Sequence, residues 1–230
     1  KQMLLVVDNV EHLLVEGPHQ GTIADLLIEV MQTAGQIKLL ITSREAMNLQ
    51  GEWIFEVPGL AFPSVEQVDK LDEYSAVALF VQRARRSCPG FEMNAEDIKG
   101  VVRLCRLVEG LPLAIELAAA WVRILSPVEI AQEIGTSLDF LNAQMRDIPE
   151  RHRSMRAVFD HSWQMLSIEE KRVLGRLSVF RGGFGRQAAG QVAGASLPLL
   201  SSLVIRSLLR RTATGRYDLH ELIRQYAASK

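Results

Sequence analysis

Met3-Leu4-Leu5-Val6-Val7-Asp8-Asn9 opens the chain with five apolar residues in a row, cut off by an acid. Five residues are too few for a helix. An unbroken apolar run, rather than an alternating one, is the pattern of a strand covered on both faces. In open parallel sheets ligands gather at the carboxyl ends of the strands, which makes Asp8 the first candidate functional residue. Working outward, Ile23, Leu26, Leu27, Val30 and Met31 recur at helical spacing, which predicts a helix over 22–33 stopped at Gly35. Lys38-Leu39-Leu40-Ile41 is a second buried strand, ending on Thr42-Ser43-Arg44, and Trp53–Val57 is a third, closed by Pro58. Strand, helix, strand with short connections predicts a βαβ unit and a parallel sheet.

Past Pro63 the strand signal stops. Residues 74–87, 95–108, 111–125 and 127–134 are each amphipathic at helical spacing, with Pro112 and Pro127 at preferred first-turn positions. They predict a small helical bundle. From about residue 151 the pattern changes again. A helix is expected over 152–166, and Ser167-x-x-Glu170 is a capping box opening the next, which runs to Phe180. Gly182-Gly183 breaks the chain, Leu197–Leu209 is a further helix, 210–216 is a hairpin tip, and 219–229 closes as a helix. Helices followed by a hairpin and a basic surface predict a winged helix.

Charge divides the chain near residue 150. Residues 1–150 carry 12 Lys+Arg against 22 Asp+Glu, a net of −10, whereas 151–230 carry 14 against 5, a net of +9. The basic third either docks on the acidic part or faces a polyanion, and docking is the plainer reading. The 230 residues are 48% hydrophobic and 23% charged, enough to bury a sizeable core and unlike collagen-like, disulfide-stapled or disordered chains. No apolar run approaches the roughly 18 residues of a membrane span, and the N-terminus lacks the features of a signal peptide. Cys88 and Cys105 form no disulfide framework or metal cluster, which points to a reducing, cytoplasmic setting with no membrane contact.

Four motifs can carry chemistry, each with a plainer reading beside it. An apolar strand delivering Asp8 at its end is how P-loop NTPases hold Mg²⁺ through water; otherwise the acid caps the next turn. Arg44 at the end of the second strand can pair with a terminal phosphate; otherwise Thr42 or Ser43 caps a helix and Arg44 is a surface side chain. Gly110-Leu111-Pro112-Leu113-Ala114 is a tight bend that could wall a flat base, or an ordinary helix start. His220, in Leu219-His220-Glu221-Leu222, stands at a helix N-terminus where anions are favoured, though a lone His there is commonly a cap. His12, His19, His152 and His161 show no metal-ligand spacing. Trp53, Trp121 and Trp163 lie on apolar faces and are expected in the core. Ser43 has no identifiable base, so a hydrolase triad is unsupported.

The order and spacing of these motifs are more specific than any one of them. LLVVDNVEHLL, LLITSRE, GLPLAIELAAA, LSIEEKRVLGRLSVFRGGF and YDLHELIRQYA together resemble the NB-ARC-type core of signal-transduction ATPases with numerous domains, as found in bacterial LuxR-type and related transcriptional regulators. The resemblance covers essentially the whole chain. It implies a remnant of a P-loop NTPase α/β sheet over 1–62 and a helical bundle over 63–148. A winged-helix domain over 149–230 would follow, the whole being mainly α-helical. It implies Asp8 as the Walker B acid associated with Mg²⁺ through water, and Arg44 as a sensor of the γ-phosphate. Pro112 would pack on adenine, and His220 would touch the β-phosphate of ADP. ADP would hold the domains closed and ATP would release the winged helix, a nucleotide-biased two-state element.

Two departures from the family pattern stand out. The chain has no GxxxxGK[ST] loop, the source of most phosphate contacts, so it is expected to be the distal piece of a longer protein and to bind ATP, ADP or Mg²⁺ weakly or not at all by itself. Asn9 follows Asp8 where many ATPases place a second acid, and an amide cannot act as a base. The parent protein is therefore expected to be a slow ATPase, with this chain alone inactive; Glu11 is a poor substitute base. Expected partners are the chain's own domains and other protomers. A sheet of this size should also expose an apolar edge, so self-association or disorder is expected over 1–60. Two rival readings remain. Arg206, Arg210, Arg211 and Arg216 could grip DNA phosphates, but Leu197–Leu209 is almost wholly apolar and offers little to read bases, which argues against DNA contact. The other rival is a nucleotide-free protein-interaction scaffold.

Overall fold

The computed structural model describes residues 2–13, 23–63, 71–142 and 153–230. β1 (Met3–Val7) and β2 (Ile37–Ile41) pair in parallel, Met3 opposite Ile37 and Val7 opposite Ile41, with α1 (Ile23–Thr33) between them in sequence. The predicted βαβ core is therefore present, but two expectations fail. Trp53–Val57 finds no ladder partner among the described residues and forms no strand. Without a neighbour to take its N–H and C=O groups, an extended segment stays solvated. Trp53 is 97% exposed rather than a core residue. The strands themselves are also not buried: Leu4, Val6 and Leu40 are each more than half exposed, because a two-stranded ribbon has too little cover for two apolar faces. The predicted helix start at Thr22 and the predicted boundary near residues 148–150 lie outside the described residues.

The helical bundle comprises α2 (Ser75–Ser87), α3 (Ala95–Leu107), α4 (Pro112–Ala119) and α5 (Pro127–Thr136). Asn94 and Asp97 form a capping box at the start of α3, and Ser126 and Glu129 another at α5. Each satisfies backbone donors that a helix start leaves orphaned. The helix expected over 111–125 ends at Ala119 and tightens into a 3₁₀ turn through Arg123. Phe80, Leu104, Ile115, Leu117, Ile130 and Ile134 fill the core. Burying side chains of this kind stabilises by roughly 1.5–3 kcal/mol each. α3 and α5 touch at backbone level: a Cβ at Gly100 would fall 2.5 Å from the Val128 nitrogen and 2.6 Å from the Pro127 carbonyl carbon.

The remaining elements are α6 (Met155–Gln164), α7 (Ile168–Leu177), α8 (Arg186–Ala193), α9 (Leu197–Ile205), β3 (Arg210–Arg211), β4 (Tyr217–Asp218) and α10 (Glu221–Ala228). The capping box of Ser167 and Glu170 opens α7 as expected. α8 was not anticipated, because Arg-Gln-Ala-Ala-Gly-Gln-Val-Ala buries only Ala189 and Ala193 and carries almost no apolar period. It ends on Gly194 at φ +69°, a left-handed stop suited to glycine. β3 and β4 form the expected hairpin, antiparallel with Arg211 opposite Tyr217. Phe184 adds an isolated bridge to Tyr217.

Among the described residues two apolar cores result, and α10 serves both. Leu222 and Tyr226, one turn apart, join the bundle core with Met155, while Ile223 and Ala227 on the adjacent face join Val173, Leu177, Phe184 and Leu203. No described residue between 2 and 57 belongs to either core. Among the described residues no single helix is long and apolar enough to cross a membrane.

Candidate functional site

At the carboxyl ends of β1 and β2, Thr42 stitches the strands together. Its N–H donates to the Val7 carbonyl at 3.0 Å and its carbonyl accepts from Val10 N–H at 3.1 Å. Its hydroxyl oxygen accepts from Asn9 N–H at 3.0 Å and donates to the Asp8 carboxylate. Thr42 is thus a strand clamp and not a helix cap. Asn9 takes a left-handed φ of +62°, a conformation its short polar side chain tolerates. Asp8 is exposed at the strand end. Ser43 accepts from Glu45 N–H at 3.1 Å, an ordinary local turn.

The chain then places Glu11 where sequence reasoning saw little. Glu11 is 2% exposed; its Oε1 lies 3.3 Å from Arg44 Nε, and its Oε2 is buried without a hydrogen bond. Arg44 reaches α6, where Nη1 donates to the Val158 carbonyl at 3.3 Å and to Ser162 Oγ at 3.1 Å, its side chain partly exposed. Asp8 and Arg44 therefore share one sheet end, with Thr42 and Glu11 completing it.

The second cluster forms at the turn before α4. Glu109 and Gly110 both adopt left-handed φ, +48° and +69°. Leu60 N–H donates to the Gly110 carbonyl at 2.8 Å. A Cβ at Gly110 would fall 2.1 Å from the Leu60 oxygen, and one at Gly59 would fall 2.3 Å from the Glu109 oxygen. Two main-chain segments cross here at a spacing that only glycine permits. Pro112 follows, exposed on the first turn of α4. His220 caps α10, its Nδ1 accepting from Leu222 N–H at 3.1 Å, and that same nitrogen lies 3.9 Å from Glu109 Oε1. Because Nδ1 accepts, the neutral ring carries its proton on Nε2, which is buried and makes no hydrogen bond. Burial lowers the His220 pKa below the usual histidine value; Glu109 opposes that shift, Arg210 reinforces it, and the Val108 carbonyl beside the ring opposes it weakly. The Arg210 guanidinium pairs with Glu109 and lies 3.3 Å from Asp218.

Pro112 and His220 are thus brought to one turn, and Asp8 and Arg44 to one strand edge. No hydrogen bond or ion pair among the described residues joins the two clusters directly. The segment from Arg206 to Arg210 reaches both: Ser207 Oγ donates to the Arg44 carbonyl at 2.9 Å, Arg206 pairs with Glu45, and Arg210 pairs with Glu109. The acids that complete these clusters are Glu11 and Glu45, which lie within the first two quoted stretches but with no local signal of their pairing, and Glu109, just before the GLPLA motif. Among the described residues no three His, Cys, Asp or Glu side chains converge as a metal cluster.

No family model matches the chain. Along its whole length it is 35% identical to a Mycobacterium tuberculosis protein named as an HTH-type transcriptional regulator, of which it covers 25%. It is 33% identical to an uncharacterized protein of the same organism, of which it covers 57%. The chain thus spans about a quarter to just over half of these relatives. Among solved structures, it is 18% identical over 98% of its length to a signal-transduction ATPase with numerous domains that carries a tetratricopeptide repeat sensor, from Pyrococcus horikoshii. That match has a TM-score of 0.31 and covers 27% of the other chain.

Proposed function

We propose that this chain is the distal part of a nucleotide-dependent switch in a transcriptional regulator. On this reading 1–62 is the end of an NTPase sheet, 63–148 an NB-ARC-type helical bundle, and 149–230 a winged helix that closes over bound nucleotide. One observation carries the reading: His220, from the far end of the chain, lies against the Glu109–Pro112 turn, the two motifs that the family resemblance assigns to one nucleotide. A 35% likeness to a protein named as a transcriptional regulator supports the regulatory role.

The residues present fit part of such a ligand. The buried Nε2–H of His220 makes no hydrogen bond of good geometry, although the Val108 carbonyl lies beside the ring, so it can turn to a phosphate oxygen. Exposed Pro112 offers an apolar face for a base, and Arg44 a guanidinium that would have to leave Val158 and Ser162 to reach a terminal phosphate. Asp8 supplies a single carboxylate for water-mediated Mg²⁺. When bound, Mg²⁺ would neutralise phosphate charge; the protein's own part is to hold these four side chains at the joints between units. The phosphate-cradling loop is not in this chain, so tight binding is a property of a longer protein.

The DNA-binding alternative loses ground on geometry. Arg206 is engaged by Glu45 and Glu170, Arg210 by Glu109 and Asp218, and Arg216 donates to the Gly183 carbonyl at 2.9 Å. Guanidinium groups already paired give up those partners before they can grip a phosphate.

The test is the native reading frame upstream of Lys1, followed by ADP binding to the protein it encodes. A GxxxxGK[ST] loop within roughly 100 residues, the span of part of one domain, is expected. Substituting His220→Ala or Arg44→Gln should then weaken ADP or ATP binding about tenfold or more. A frame without that loop, or variants that bind as wild type, overturns the assignment.

A further inference from the structure

The sheet unit is joined to the rest of the molecule in an unusual way. No described residue of 2–57 enters either apolar core. Hydrogen bonds and ion pairs join it to the C-terminal unit. Arg44 donates to the Val158 carbonyl and Ser162, Ser207 donates to the Arg44 carbonyl, and Glu45 pairs with Arg206. Arg206 is in turn shared with Glu170, 3.4 Å from its Nε, and Glu170 accepts from the Ser202 hydroxyl. Behind Arg44 stands the buried Glu11.

We infer that Arg44, Glu45 and Arg206 form an electrostatic latch that docks the sheet unit on the C-terminal unit reversibly, and that it opens when these charges are screened or competed away. The two arginines have different roles. Arg206 links two acids from different units, so removing it leaves Glu45 and Glu170 facing each other as like charges. Arg44 is held on its own unit by Glu11 and on the other by α6, so an anion that draws it off also removes a strut. Apolar docking would strengthen or persist in salt, whereas charge pairs at a partly solvated interface weaken as the screening length shrinks from about 10 Å at 0.1 M to about 3 Å at 1 M. This device needs only the chain's own side chains and stands whether or not the nucleotide reading holds.

The Arg44–Glu45 peptide bond is itself a reporter, because trypsin must take the Arg44 side chain out of the latch to cut there. The 230-residue chain is digested briefly at about 0.05 M and about 1 M NaCl. The cut after Arg211, in the exposed hairpin, is the internal reference, and far-UV circular dichroism checks the fold. Wild type should show about a tenfold faster relative cut after Arg44 at high salt. Arg206→Gln should show that faster rate already at low salt, with no further gain from salt, while keeping native helicity. Ser162→Ala, which leaves every charge in place, should give a smaller rise that is still salt-sensitive. A relative rate unaffected by salt and by Arg206→Gln overturns the latch, as does a salt response of equal size in wild type and Arg206→Gln. If Arg206→Gln loses helicity, the salt response of wild type and Ser162→Ala alone decides the outcome.

Discussion

His220 Nδ1 lies 3.9 Å from Glu109 Oε1, so the cap of the last helix and the turn before α4 share one small polar cluster, although they are 111 positions apart. Burial nonetheless keeps the imidazole neutral near pH 7, since its lowered pKa outweighs the help from Glu109. A histidine that resists protonation when folded accepts a proton more readily when unfolded. Stability is therefore fully present above the unfolded pKa of about 6.5 and declines as pH falls through it toward the folded value. Urea denaturation across this range should show that decline. His220→Asn keeps a good helix cap and should flatten the part of the curve below the ordinary histidine pKa of about 6.5. Identical pH profiles for the two proteins would contradict the buried neutral histidine.

The crossing at Gly110 should tolerate no side chain. Gly110→Ala combines a left-handed φ of +69° with a Cβ 2.1 Å from the Leu60 oxygen. Strain of about 1 kcal/mol from the backbone and about 1–3 kcal/mol from overpacking should add. Gly100→Ala should be comparably costly, because the backbone of α5 leaves no room. Gly35→Ala, with nothing within 4 Å of the new methyl, is the matched control and should change stability little. Chemical denaturation of the three variants gives the comparison directly.

The two thiols should differ sharply in reactivity. Burial raises Cys105 to about 12, while Cys88 is only half-buried. Thiolates, not thiols, react, so at pH 8 the native protein should release one equivalent of thionitrobenzoate promptly from an aromatic disulfide reagent. The second should appear only on unfolding. Two fast equivalents would show that Cys105 is not sealed in the bundle core.

Tyr226 should act as a staple between α6 and α10. Its hydroxyl donates to Asp160, which also accepts from Lys230 Nζ at 2.8 Å, and the Arg156 guanidinium and Lys230 ammonium lie over its ring at 5.7 and 4.9 Å. The Asp160 carboxyl is held below the usual range by the Lys230 bond first and the tyrosine second. Tyr226→Phe should cost about 1.5–3 kcal/mol, the range for a hydrogen bond to a charged group, and toward the lower end because Lys230 remains. In a cycle with Asp160→Asn the two losses should be less than additive.

Much of this architecture was legible from residues alone. The apolar runs before Asp8 and Thr42, the capping box at Ser167 and the turn residues Gly110 and Pro112 each carry a local physical instruction, and the elements form where those instructions point. Trp53–Val57 shows the limit: its composition suits a strand, but a strand is a property of two chains of atoms, and no described partner lies beside it. α8 was invisible for the opposite reason, since small residues buried on one face leave no periodic signal. At the candidate site the motif residues were visible, whereas the pairing of Glu11 with Arg44 and of Glu109 with Arg210 was not. An acid that matters because of an arginine 33 or 101 positions away leaves no local mark in the sequence.

The crossing of Gly59 and Leu60 over Glu109 and Gly110 has a mechanical side. It immobilises the chain immediately after the sheet unit, with a main-chain bond at 2.8 Å and no space for either strand to slip. A sheet unit that lets go elsewhere is left tethered at this pivot. It can swing but not wander, and its recapture is an intramolecular event at a high effective concentration. Opening then amounts to swinging about a fixed point near residue 60, and the reach of Asp8 away from His220 is bounded by the length of chain between β2 and that pivot.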